Sequence, residues 1–185
     1  GSGSLGTGSY AGNISIAVGS VLEYSSSASQ TLSGIISGSG SLMKDMSSST
    51  LSLSGANTYD GTTSVNSGTL ALSGNGTLGS TSGGTTVSSN AVLDLRGVSI
   101  GNESLTLSGG TLLVSTGTSS YAGGVTLAAS STVEVAGSQL TLSGAVGDSN
   151  GTFGIVKMGT GTLTLSGSNS YLGGTTVSAG TLQLG

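Results

Sequence analysis

TLSLSGANTYDGTTSVNSGTLAL at residues 50–72 returns, 112 residues later, as TLTLSGSNSYLGGTTVSAGTLQL at residues 162–184. No insertion separates the paired positions. Leu51/Leu163, Leu53/Leu165, Gly55/Gly167, Asn57/Asn169, Tyr59/Tyr171, Val65/Val177, Gly68/Gly180, Leu70/Leu182 and Leu72/Leu184 are identical pairs. Inside each copy, apolar residues alternate with Ser and Thr, and glycine breaks the runs. A period of two marks short strands that bury one face. Such strands in a self-similar chain are the mark of a repeat architecture. One repeat cannot cover its own apolar face, so neighbours must stack.

A shorter phrase recurs within the long one. Tyr10, Tyr59, Tyr121 and Tyr171 each lie two residues before a glycine, at spacings of 49, 62 and 50 residues. Ser131–Val135 resembles Ser20–Tyr24, and a Ser-Gln step follows both. Constant strands joined by corners of variable length describe a solenoid. Glycine supplies those corners because it accepts positive φ without steric cost.

Composition agrees. The 185 residues make one domain, 1–185, with only 5% charged residues and 36 glycines; ordinary domains carry about 25% charge. A Gly/Ser-rich chain can be disordered, but linkers do not alternate as Leu51-x-Leu53, Val133-x-Val135 and Leu140-x-Leu142 do. At about three strands per coil, the chain forms an all-β solenoid of roughly seven to nine coils. Stacked at about 4.8 Å, these make a rod about 35–45 Å long. Leu51, Leu53, Leu70, Leu72, Leu163, Leu165, Leu182 and Leu184 should face inward. Neither end reads as capped.

The residues present exclude much chemistry. There is no His, Cys, Pro or Trp, so the commonest general base and the usual zinc and disulfide ligands are missing. Serine nucleophiles lack a base. The acids are Glu23, Asp45, Asp60, Asp94, Glu103, Glu134 and Asp148. Glu23 and Glu134 occupy similar repeat positions and read as outward solvated charges, the alternative being a carboxylate pair across coils. Asp94 and Arg96 share one strand face and read as a surface ion pair. Asp148-Ser149-Asn150-Gly151 reads as a plain turn rather than a calcium loop. We expect no catalytic residue, metal or cofactor.

Net charge is −4, with Lys44, Arg96 and Lys157 the only cations, which is no footprint for nucleic acid. No apolar run is long enough to span a membrane. The opening GSGSLGTGSY is no signal peptide, and the chain reads as a processed or excised segment. The tyrosines should cover coil corners with their hydroxyls in water, the alternative being an aromatic column that binds sugars. Thr162-x-Thr164 has the spacing of an ice-binding array, but Ser replaces Thr widely elsewhere.

GTGTLTLSGSNSYLGGTTVSAGTLQL at 159–184 closely resembles the autotransporter-associated β-strand repeat of Gram-negative bacteria. Lys44 and Lys157, each a few residues before a TLxLSG strand, sit near where that repeat usually carries a lysine. The resemblance implies a right-handed parallel β-helix. It also implies a secreted or surface-displayed passenger exported by the type V route through an outer-membrane β-barrel, a barrel absent from this segment. Family members share scaffold rather than activity. The expected role is a non-enzymatic structural or adhesive scaffold at the bacterial outer surface. The alternative is a filament subunit that polymerises by end-to-end stacking. Expected partners are further solenoid repeats, copies of the chain end to end, and a glycan or host-surface ligand.

Overall fold

Parallel pairing joins each strand to one about a coil away in sequence. The computed structural model describes residues 1–46 and 49–185. Its strands assemble into sheets of nine, seven, five and two strands, and every named strand pair is parallel. Partners in the nine-stranded sheet lie 19–24 residues apart, giving about eight turns of a β-solenoid. The expected fold class is thereby met. The only helical element among the described residues is a 3₁₀ turn, Gly6–Gly8.

The alternation in sequence becomes stacked apolar columns. Leu51, Leu70, Leu93, Leu112 and Val133 follow one another in register. On a second face so do Val65, Val87, Leu107 and Leu127. All are 0–1% exposed. Leucines and valines at the same height of successive coils pack on one another, so the core is a continuous seam along the axis.

The two copies of the long phrase lie on different faces. Five coils carry Leu51 through Leu70, Leu93, Leu112 and Val133 to Lys157. Leu163 therefore falls further along its coil, on the next face. Thr50–Leu53 belongs to the nine-stranded sheet but Thr162–Leu165 to the five-stranded one. Likewise Thr63–Val65 is in the seven-stranded sheet and Thr175–Val177 in the nine-stranded one.

Two expectations need correction at the ends. Six of the eight leucines expected inside are buried, but Leu182 is only partly covered and Leu184 is 75% exposed. Both keep the inward register, pairing with Leu163 and Leu165; they lie on the last coil, so no further rung covers them. At the other end residues 1–8 fold back rather than leave the first coil bare. Leu5 N donates to Gln30 Oε1 (2.8 Å), and Ser27 N donates to the Gly1 carbonyl (2.8 Å). A cavity of about 430 Å³ remains beneath them, lined by Leu5, Ile14, Leu22, Tyr24, Leu32 and Leu51 among others.

Position along the axis should set the cost of truncation. Leu95→Ala empties a wholly buried site and should lower the unfolding free energy by about 2–5 kcal/mol. Leu184→Ala should change it by under about 0.5 kcal/mol. Urea titrations followed by circular dichroism measure both.

Candidate functional site

Three devices recur with the repeated phrase, two inside it and one just ahead of it. The first is asparagine. Asn57 Oδ1 accepts from Ile36 N (2.9 Å) in the coil before, while its Nδ2 donates to Thr77 O (3.0 Å) in the coil after. Asn169 repeats the first bond, accepting from Val146 N at 2.9 Å. The second is a hydroxyl pair, Tyr59 with Thr63 Oγ1 (2.6 Å) and Tyr171 with Thr175 Oγ1 (2.8 Å).

The third is a buried lysine. Lys44 and Lys157 stand in inward columns, paired with Val65 and Val177, and both are 0% exposed. Lys44 Nζ donates to the carbonyls of Met46 (2.7 Å) and Ser67 (3.2 Å). Lys157 Nζ donates to those of Met158 (2.8 Å), Gly159 (2.9 Å) and Ala179 (3.1 Å). Ser67 and Ala179 each precede a glycine with positive φ, Gly68 (72°) and Gly180 (67°). A Cβ on Gly68 would lie 2.8 Å from Lys44 Nζ. The amine thus fills a corner where carbonyls converge, groups that are costly to bury unpaired. Burial pushes both amines below the usual lysine range, opposed by Asp45 near Lys44 and by Glu134 near Lys157. Lys44 also lies 5.8 Å from the centre of the Tyr24 ring, within cation–π range.

The tyrosines do not behave as the sequence suggested. Tyr59 and Tyr121 are wholly buried, and Tyr10 and Tyr171 are partly so. Tyr10 pairs with Leu32 in the nine-stranded sheet, whereas Tyr121 pairs with Ile100 and Leu142 in the five-stranded sheet. They form no single aromatic column. Small neighbours at the corners leave room for the rings inside. The Tyr59 hydroxyl meets Thr63 rather than water. The Tyr121 hydroxyl is the only fully buried side-chain polar atom without a partner among the described residues.

Near Tyr121 lies the strongest departure from the repeat pattern. Leu42, Thr63, Thr85, Leu105, Val125 and Val146 follow one another in register on the seven-stranded sheet. Two residues before them stand Gly40, Gly61, Gly83, Glu103, Gly123 and Gly144. The backbones in this column nearly touch. A Cβ on Gly61 would lie 2.3 Å from Gly40 O, one on Gly83 2.2 Å from Gly61 O, and one on Gly144 2.0 Å from Gly123 O. Glu103 is the one non-glycine among these six, and its side chain is buried at 3% exposure. Its Oε1 accepts from Thr85 Oγ1 (2.6 Å). No cation pairs with it; the one ion pair among the described residues is Arg96–Asp94. Burial pushes its carboxyl up to about 7, and the Thr85 hydrogen bond opposes the rise. Desolvation also raises both Tyr59 and Tyr121, and Glu103 adds to the rise of each.

The other acids are scattered. Glu23 is exposed on the seven-stranded sheet and Glu134 lies on the nine-stranded one, so they form no pair across coils. The Asp94–Arg96 contact (2.7 Å) is less superficial than expected: Asp94 is 2% exposed and also accepts from Ser115 N and Oγ. Asp148 closes its turn by accepting from Gly151 N and holds the next coil by accepting from Leu172 N (2.8 Å). Thr164, half of the proposed ice lattice, is 8% exposed and receives a hydrogen bond from Gln139 Nε2 (3.1 Å).

Residues 47–72 and 155–184 match the family described as passenger-associated-transport-repeat. The chain carries passenger-associated transport repeats. The resemblance read from the sequence is thus shown, and the matched segments contain the asparagine and tyrosine–threonine devices of both copies. Among curated proteins, the Adhesin BmaC autotransporter of Brucella suis biovar 1 (strain 1330) is 33% identical over 197 residues. The alignment covers 96% of this chain and 5% of that protein, so the chain spans about one-twentieth of the relative's length. No solved structure matches the chain.

Lys157 lies in the second repeat, whereas Lys44 falls just before the first matched segment. Seven residues separate Lys44 from Leu51 and six separate Lys157 from Leu163. Both stand in inward columns despite the one-residue difference in spacing. Lys157→Met should strip three carbonyls of their donor and cost about 2–4 kcal/mol of stability. Lys44→Met should cost a similar amount. Tyr121→Phe removes a hydroxyl that bonds to nothing, and should leave stability unchanged or raise it by up to about 1 kcal/mol. Urea unfolding of the three variants tests this ranking.

Proposed function

We propose that this chain is a stretch of a non-enzymatic, adhesive passenger displayed at the bacterial outer surface or secreted from it. The observation that carries this reading is the match, along 96% of the chain, to a protein named as an autotransporter adhesin. The fold supports it. A seam of stacked leucines gives a stiff rod, and a stiff rod holds a binding surface away from a cell. The surface is nearly free of charge, so contacts with it do not depend on salt.

The outer face of the nine-stranded sheet is the proposed contact surface. Leu113, Glu134 and Met158 follow one another there in register, beside Val92 and Val156. Met158 is 42% exposed and the others half-buried. The bound class is a host-surface protein or glycan rather than nucleic acid, given the net charge of −4. Further solenoid repeats are the proposed neighbours of the rung bearing Leu182 and Leu184.

Purified chain carrying a fluorescent label should bind cultured epithelial cells saturably. Leu113→Lys with Met158→Lys should weaken binding at least tenfold while leaving the circular dichroism spectrum unchanged. Absence of saturable binding, or equal binding by the double variant, would count against the contact face.

A further inference from the structure

We propose that Glu103 is a pH-sensitive latch in the middle of the solenoid, closing its coil when neutral and releasing the loop at 101–104 when ionised. Three features of the geometry support this. First, Glu103 is the one residue with a side chain in a corner column otherwise made of Gly40, Gly61, Gly83, Gly123 and Gly144, positions where a Cβ would meet backbone of the adjacent coil. Backbones of adjacent coils approach so closely there that a Cβ on Gly123 would collide with Glu103 O. The carboxyl is buried, at 3% exposure. A rule broken once in an otherwise consistent column is the pattern of a functional or strained position.

Second, the core offers the carboxyl little. Thr85 Oγ1 is its hydrogen-bond partner at 2.6 Å. The titratable groups facing it are Tyr59, in the loop before Thr63–Val65, and Tyr121, at the end of Thr118–Tyr121; both are neutral phenols. Asp94 and Arg96, on the packed strand Ala91–Arg96, are paired with each other. The Tyr121 hydroxyl is unpartnered, so the ionised carboxylate gains no second donor without movement.

Third, the loop is weakly anchored. It leaves the two-residue strand Ser99–Ile100, the edge of the five-stranded sheet, and enters Leu105–Ser108. Gly101, Asn102 and Ser104 are exposed, and segments with few buried contacts open at lower cost than the core. Desolvation sets the sign of the pH dependence. The carboxyl sits at about 7 in the closed coil and near about 4.3 once in water. Its contribution to closure is therefore complete below about 4.3 and is lost as pH rises through about 7.

Amide hydrogen exchange of the full chain at pH 5 and pH 8, corrected for intrinsic rates, tests this. Opening of peptides covering 99–105 and 118–123 should increase by tens-fold at pH 8, while peptides covering 50–54 and 139–142 should keep their protection. Glu103→Gln keeps the shape without the charge and should abolish the difference. Thr85→Val removes the donor that favours the carboxylate and should move the midpoint to higher pH. Equal protection at both pH values would overturn the proposal. So would a difference that survives Glu103→Gln, or a uniform acceleration across all peptides.

Discussion

Each coil is built on the backbone of the one before it. Main-chain hydrogen bonds run along the axis, and they form only where adjacent coils stay in register over their whole circuit. A residue's position in the circuit therefore fixes its environment more firmly than its chemical type does. This explains how a chain with 5% charged residues holds together without ion-pair networks. Side chains add to the ladder only where it fails, at corners. Asparagine, lysine and the tyrosine–threonine pair all act there, and all bond to backbone or to each other across short spans.

The buried lysines show how strongly the ladder governs the rest. An ammonium in a leucine column is ordinarily a liability, because removing it from water is costly and nothing negative compensates. Here the corners bring two or three carbonyls within 3.2 Å of each amine. The cation stands in for the amide groups that a continuous ladder would have supplied. Glu103 is the opposite case. Its corner offers a single hydroxyl, and the carboxyl meets burial largely alone.

The alternation of leucines made the fold legible, and stacking placed them as expected wherever a coil lies on both sides. The glycine column was also legible, as glycines two residues before Leu42, Thr63, Thr85, Val125 and Val146, and Glu103-Ser104-Leu105 was its one visible violation. Its burial was not legible there, because which way a corner residue faces depends on the coils stacked on either side. The lysines were legible as a pair ahead of the TLxLSG strands, but not their burial, because a cation in an apolar column depends on carbonyls that only the stacked corners bring together. The tyrosines misled for a different reason. The same four-residue phrase falls on different sheets at Tyr10 and Tyr121, and local sequence carries no record of which face a segment will reach.

The two copies of the long phrase sit five coils and one face apart. If that spacing continued along a longer rod, the motif would wind around it like a thread on a screw, and a third copy would point in a third direction. Such a rod has no preferred side. The corners braced by asparagine, tyrosine and lysine would then be spread around the circumference, so no one side of the rod would hold all of its side-chain reinforcement.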